Sequence, residues 1–133
     1  MQGPLIAVVD DEMPIRVALR RLLHSVGFRV ETFESGAQFL DSLGDHLPAC
    51  VVLDLHMPQV NGFAVQAGLA ERGLRRLPVV VITGHDDALS SERVLAGGAS
   101  AYLRKPVDDQ ALLHAISEAV ASTAKTGTAE THE

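Results

Sequence analysis

The sequence predicts an α/β fold, a parallel five-stranded sheet sandwiched between helices. Two observations predict it. Five short apolar runs alternate with segments of helical periodicity, in the order βαβαβαβαβα. Three of the runs are rich in Val and Ile and lack polar alternation, which suits strands buried on both faces.

The runs are Leu5–Val9, Phe28–Phe33, Cys50–Leu53, Pro78–Ile82 and Ala101–Leu103. Between the first two, Pro14 falls where a first-turn proline is tolerated. Ile15, Leu19, Leu22 and Val26 then step by four, three and four, which predicts one apolar stripe, and Gly27 offers a stop. Ser35 caps a short helix carrying Phe39, Leu40 and Leu43. The third helix spans Gly62 to Glu71, with Phe63, Val65, Ala67 and Leu69, and ends near Gly73. A weaker fourth runs from Ala88 to Ala96 and stops at Gly97 and Gly98. Asp108 or Asp109 caps the last, which carries Leu112, Leu113, Ile116 and Val120.

Right-handed crossovers leave few ways to arrange such a chain. The natural choice for five strands is the flavodoxin-like (βα)5 three-layer sandwich, with strand order 2-1-3-4-5. A domain over residues 1–121 is expected. Residues 122–133, small and polar with no apolar stripe, read as a flexible C-terminal tail or linker stub.

Composition narrows the function classes. With 47 % hydrophobic residues the chain can build a core, which argues against global disorder. Eleven basic against seventeen acidic residues give a net charge of −6, a poor balance for direct nucleic-acid contact. The lone Cys50 excludes an intrachain disulfide and a multi-cysteine zinc site, and reads as a small buried hydrophobe. No apolar run reaches membrane-span length, and the N-terminus lacks a signal-peptide layout, so no membrane contact and a cytoplasmic location are expected. His24, His46, His114 and His132 show no ligand spacing, and Arg20-Arg21 and Arg75-Arg76 read as solvated pairs.

Open α/β sheets bind ligands beyond the carboxyl ends of their strands. There the first strand ends in Asp10, Asp11 and Glu12, the third in Asp54, the fourth in Thr83 and the fifth in Lys105-Pro106. The predicted order makes these strands neighbours, so their ends converge. Crowded carboxylates repel unless a cation or proton intervenes, and a hard divalent ion, Mg²⁺ above all, resolves the conflict. Lysine and hydroxyl donors beyond the cluster suit phosphate oxygens. Each element alone has a plainer reading, as a helix cap, a turn residue or a strand exit. Their joint placement at four strand ends favours a site.

The chain resembles the CheY-like receiver domains of bacterial two-component response regulators. The resemblance rests on Val8-Val9-Asp10-Asp11-Glu12, Leu53-Asp54-Leu55-His56-Met57-Pro58 with Gly62, Pro78 through Gly84, and Gly98 through Pro106. It covers about residues 4–121. It implies that Asp54 is the phosphoacceptor and that Asp11 and Asp54 ligate Mg²⁺ with the backbone carbonyl of His56, Asp10 acting through a bound water. It implies that Lys105 pairs with the phosphoryl group and that Thr83 and Tyr102 form a switch pair. A cis bond before Pro106 follows too. His56 and His85 sit at positions that, in the resembled family, tune phosphoryl lifetime.

The partners implied are a sensor histidine kinase or phosphotransfer protein, and a downstream protein or fused output domain reached through helix 4, strand 5 and helix 5. A phosphorylation-dependent homodimer is a further expectation. Ile82-Thr83-Gly84-His85 resembles receivers that precede helix-turn-helix domains, so a lone regulator and the receiver of a longer transcription factor both stay open. The domain is expected to be a signalling phosphoacceptor, not an enzyme. A receiver-like module that is never phosphorylated would usually lack an acidic ligand, the acceptor or the lysine. A haloacid-dehalogenase-type phosphohydrolase would want an Asp where His56 stands. A flavin or nucleotide binder would want glycines in the acidic loop after the first strand.

Overall fold

The computed structural model describes residues 3–44, 46–57, 59–84 and 88–131, with side chains to residue 122 except that of Ala88. Ten elements alternate: β1 (Leu5–Val9), α1 (Met13–Ser25), β2 (Arg29–Phe33), α2 (Gly36–Ser42), β3 (Cys50–Asp54), α3 (Gly62–Glu71), β4 (Val79–Thr83), α4 (Ala88–Ala96), β5 (Ala101–Arg104) and α5 (Asp109–Thr131). All strand pairs are parallel, in the order β2-β1-β3-β4-β5, which is the predicted fold.

Side chains alternate across each strand, and two cores result. Ala7, Val9, Val51, Leu53, Val79 and Val81 face Phe39 of α2 and Leu43 at its C-cap, Val65 and Leu69 of α3, and Val94 of α4. Ile6, Val8, Cys50, Val52, Val80 and Ile82 face Leu19 and Leu23 of α1 and Leu112, Ile116 and Ala119 of α5. The central strands β1, β3 and β4 are almost wholly buried, whereas the edge strands β2 and β5 are half-exposed. That split matches the Val/Ile runs. Burial pushes the Cys50 thiol up to about 12, as befits an inert core residue.

The caps follow the predicted residues. Ser35 accepts from the Gln38 N–H at 3.2 Å, and Asp108 from the Ala111 N–H at 2.9 Å. Gly27, at φ 101, ends α1 in a left-handed conformation that costs glycine nothing.

One expectation needs correction. The α1 stripe fails only at its last position: Ile15, Leu19 and Leu22 pack in the core as expected, while Val26 is 51 % exposed. α1 ends at Ser25, so Val26 no longer follows helical phase, and Leu23 replaces it on the buried face. The backbone of α5 runs to Thr131.

Candidate functional site

Strand alternation builds the site. Ile6, Val8 and then Asp10 form one row, and Cys50, Val52 and then Asp54 form the next. The two carboxylates therefore emerge from the same core, one step beyond its last apolar layer. Both are buried. Asp11 and Glu12 follow Asp10 on the exposed side. Carboxylate oxygens of Asp10, Asp11, Glu12 and Asp54 all lie within 4.8 Å of one another.

Lys105 enters from the end of β5, where the Lys105–Pro106 bond is cis as expected. Its Nζ lies 2.9 Å from Glu12 Oε1, 3.1 Å from Asp10 Oδ2 and 3.6 Å from Asp54 Oδ2. The lysine was expected beyond the cluster. It sits inside it, because one ammonium is the nearest relief for several anions.

That relief is incomplete. Asp10 Oδ2 is buried and accepts no hydrogen bond; the Lys105 contact is an ion pair without hydrogen-bond alignment. Asp10 Oδ1 accepts from the Glu12 N–H at 2.9 Å. Burial raises the Asp10 carboxyl above its ordinary value despite that bond and the lysine. Burial likewise pushes Asp54 up to about 7, with the Asp10 charge adding to it and Lys105 and the His56 N–H opposing. That N–H meets Asp54 Oδ1 at 3.3 Å. For Lys105, burial works against the charged form, but the hydrogen bond to Glu12 and the surrounding carboxylates outweigh it and raise its pKa. The cluster is short of positive charge. An all-oxygen donor set, an orphaned buried oxygen and exposed Asp11 and Glu12 at the entrance fit a hard divalent cation.

The loop after β3 is held in place by glycine. The Gly62 N–H donates to the Leu55 carbonyl at 2.8 Å, and a Cβ on Gly62 would meet Leu55 Cα at 2.8 Å. Only a residue without a side chain lets α3 begin this close to Asp54.

Thr83 is buried at the end of β4, and its carbonyl accepts from the Lys105 N–H at 2.7 Å. It continues the Val79–Val81 row, and Tyr102 packs against that same core beside Val81. The two members of the expected switch pair thus share a face of the sheet. His56 is exposed. His85 and Pro58 lie outside the described residues. The sequence reading gave no separate role to Glu12, the partner nearest to Lys105, nor to Arg16, whose Nη1 donates to the Asp10 carbonyl at 2.8 Å. Arg16 lies four residues beyond Glu12 on α1, a spacing that could have drawn attention to it.

Comparison with known proteins gives a consistent result. The response regulator receiver domain family matches residues 6–117. Response regulator protein TmoT of Ectopseudomonas mendocina is 36 % identical over 119 residues, covering 90 % of this chain and 54 % of TmoT. Transcriptional regulatory protein TdiR of Thauera aromatica is 40 % identical over 114 residues, covering 86 % of this chain and 50 % of TdiR. The chain thus spans about half the length of these curated relatives. The crystal structure of a response regulator receiver protein from Burkholderia phymatum superposes with a TM-score of 0.78 at 43 % identity, covering 90 % of this chain and 96 % of that one.

Proposed function

The chain belongs to the response regulator receiver domain family, a signalling module of two-component systems, and from that premise we propose that Asp54 accepts a phosphoryl group from a sensor histidine kinase or phosphotransfer protein. The observation that carries this reading is the buried Asp54 carboxyl, beside Lys105 and three further carboxylates where strand ends converge.

In the proposed reaction a phosphohistidine presents its phosphorus in line with an Asp54 oxygen. The phosphorus–nitrogen bond breaks with its electron pair returning to the imidazole, and a phosphorus–oxygen bond forms on Asp54. Positioning and charge neutralisation dominate such transfers. Lys105 neutralises oxygens of the phosphoryl group, and the Thr83 hydroxyl donates to one of them. Asp10, Asp11, Asp54 and the His56 carbonyl would hold Mg²⁺, which supplies further neutralisation of phosphoryl charge when bound. Hydrolysis of the acyl phosphate resets the domain, with His56 and His85 tuning its rate. There is no turnover of an external substrate.

Thr83 and Tyr102, on one face of the sheet, would transmit the added charge to the α4–β5–α5 surface. That surface would then engage a protein partner, a fused output domain or a second copy. None of the described helices is long and apolar enough to cross a membrane, and a cytoplasmic location is proposed with the reading.

Acetyl phosphate with Mg²⁺ should add one phosphoryl group by intact mass, and chelation should prevent it. Equal labelling of Asp54→Asn and wild type would refute the assignment.

A further inference from the structure

We propose that Glu12 is a positioning residue that holds the Lys105 ammonium at the mouth of the site until an incoming phosphoryl group takes its place. The proposal rests on Asp54 as phosphoacceptor and extends that reading to a residue with no role in it.

Glu12 occupies the N-cap position of α1, with extended backbone angles of φ −93 and ψ 113. A carboxylate there ordinarily accepts from an N–H of the first turn and gains from the helix dipole. The Glu12 side chain makes no such bond. It reaches across the site instead, and Lys105 Nζ donates to its Oε1 at 2.9 Å. This is the shortest of the three carboxylate contacts to Lys105. The Glu12 backbone is pinned by its own N–H on Asp10 Oδ1, so the reach is a property of the side chain.

The three contacts differ in what can leave. Asp10 and Asp54 are buried and end rigid strands, whereas the Glu12 side chain is 56 % exposed on a longer stem. Lys105 itself is only 15 % exposed, so it has little room to withdraw. An arriving phosphoryl group brings anionic oxygens to the same ammonium. Glu12 is the partner that can swing into water and release a donor. It therefore keeps Lys105 extended across the site and also competes with the group Lys105 must bind.

The test times Asp54 labelling by acetyl phosphate and Mg²⁺ in the full chain, by intact mass, for wild type, Glu12→Gln, Lys105→Met and the double variant. Glu12→Gln should label about two- to fivefold faster than wild type, the range an exposed ion pair of this kind can supply. In the Lys105→Met background the same change should have almost no effect. Equal acceleration in both backgrounds would mean plain repulsion of the anionic donor, and would overturn the proposal. Calorimetry should show Mg²⁺ affinity in Glu12→Gln lowered only a few-fold, because one negative charge near the cation is removed; a fall of more than about a hundredfold, beyond the range lost with outer-shell partners, would make Glu12 a direct metal ligand and overturn the proposal. If Lys105→Met labels too slowly to time, the Lys105 side-chain resonances of the unphosphorylated protein decide. They should shift in Glu12→Gln, and resonances that coincide with wild type in that variant refute the proposal. A wild-type chain that takes no phosphoryl group would defeat the Asp54 reading instead, while the resonance comparison would still report on the Glu12 contact.

Discussion

Val8 and Asp10 lie two residues apart in one row of the molecule, as do Val52 and Asp54, and they live under opposite rules. The valines are fully buried among apolar neighbours from α1 and α5. The aspartates are as deeply buried, yet Asp10 keeps an oxygen without a hydrogen bond and Asp54 is pushed up to about 7 by burial. In the core layer burial and chemistry agree, and each side chain stabilises the fold. On the rim they conflict, and burial there maintains a deficit of positive charge. Sequences are expected to break their own consistency at functional sites, and here the break occurs within one step of a strand.

The contrast predicts opposite signs for truncation in the two layers, and the largest effect belongs to the core. Phe39 is fully buried and meets the Phe33 ring edge-on at 5.5 Å between centroids. Phe39→Ala should destabilise the domain by about 4 kcal/mol, seen as a large fall in the urea midpoint. A loss under roughly 1 kcal/mol would mean that the core collapses around the gap, against the close packing expected of such interiors. Gly62→Ala comes next and joins the layers. Its methyl would press on Leu55 Cα, backbone that cannot yield cheaply. The expected cost is about 2 kcal/mol, with slower Asp54 labelling because the loop after β3 must shift. Stability lost without any change in labelling would show the loop to be independent of α3.

Removing the rim charge should have the reverse sign. Asp54 has a folded pKa of about 7 against an ordinary 3.8. The native state therefore holds its proton more tightly than the unfolded chain. The associated stability is fully present below about pH 4, where both states are protonated, and is lost as pH rises towards about 7. Metal-free protein should thus lose stability across that window, with Asp10, also raised, adding to the slope. Asp54→Asn should stabilise the metal-free domain by about 2 kcal/mol at pH 8 and reduce the slope. Mg²⁺ should stabilise wild type at pH 8, since a ligand of the native state alone shifts unfolding by mass action. An Asp54→Asn variant less stable than wild type at pH 8, without metal, would show that the carboxylate is satisfied after all.

The same contrast explains what could be read from the sequence. Strand and helix identities were legible because β1, β3 and β4 are buried on both faces and carry no polar residue before the last positions of β3 and β4, where Asp54 and Thr83 stand. The convergence of Asp10, Asp54 and Lys105 followed from strand order alone. Their contacts did not. Whether Lys105 stands beyond the carboxylates or among them depends on side-chain distances that no spacing encodes, and so does the choice of Glu12 as its nearest partner. The α1 stripe was legible at Ile15, Leu19 and Leu22 but not at its end, where Leu23 is buried and Val26, beyond the helix, is exposed.

The smallest effect offers the sharpest comparison, because it sets one aspartate against another near the same end of the sheet. Asp108 precedes α5 and is exposed, and its Oδ2 accepts from the Ala111 N–H at 2.9 Å. Its oxygen has a donor, it lies in water, and it faces a helix N-terminus that favours negative charge. Asp54 lacks the solvent and the helix dipole, and Asp10 and Asp11 beside it oppose its charge while Lys105 relieves it only in part. Asp108→Ala should therefore destabilise the domain by about 1 kcal/mol, where Asp54→Asn stabilises it without metal. Asp108→Asn, which keeps the accepting oxygen, should lose only a few tenths of that. Neither change should slow Asp54 labelling or alter its Mg²⁺ requirement. Thermal denaturation of the variants at pH 8 with chelator measures the signs directly. Shifts of the same sign at Asp108 and Asp54 would mean that the balance of donors, on which the distinction between a structural and a functional carboxylate depends here, does not set the energetics of this rim.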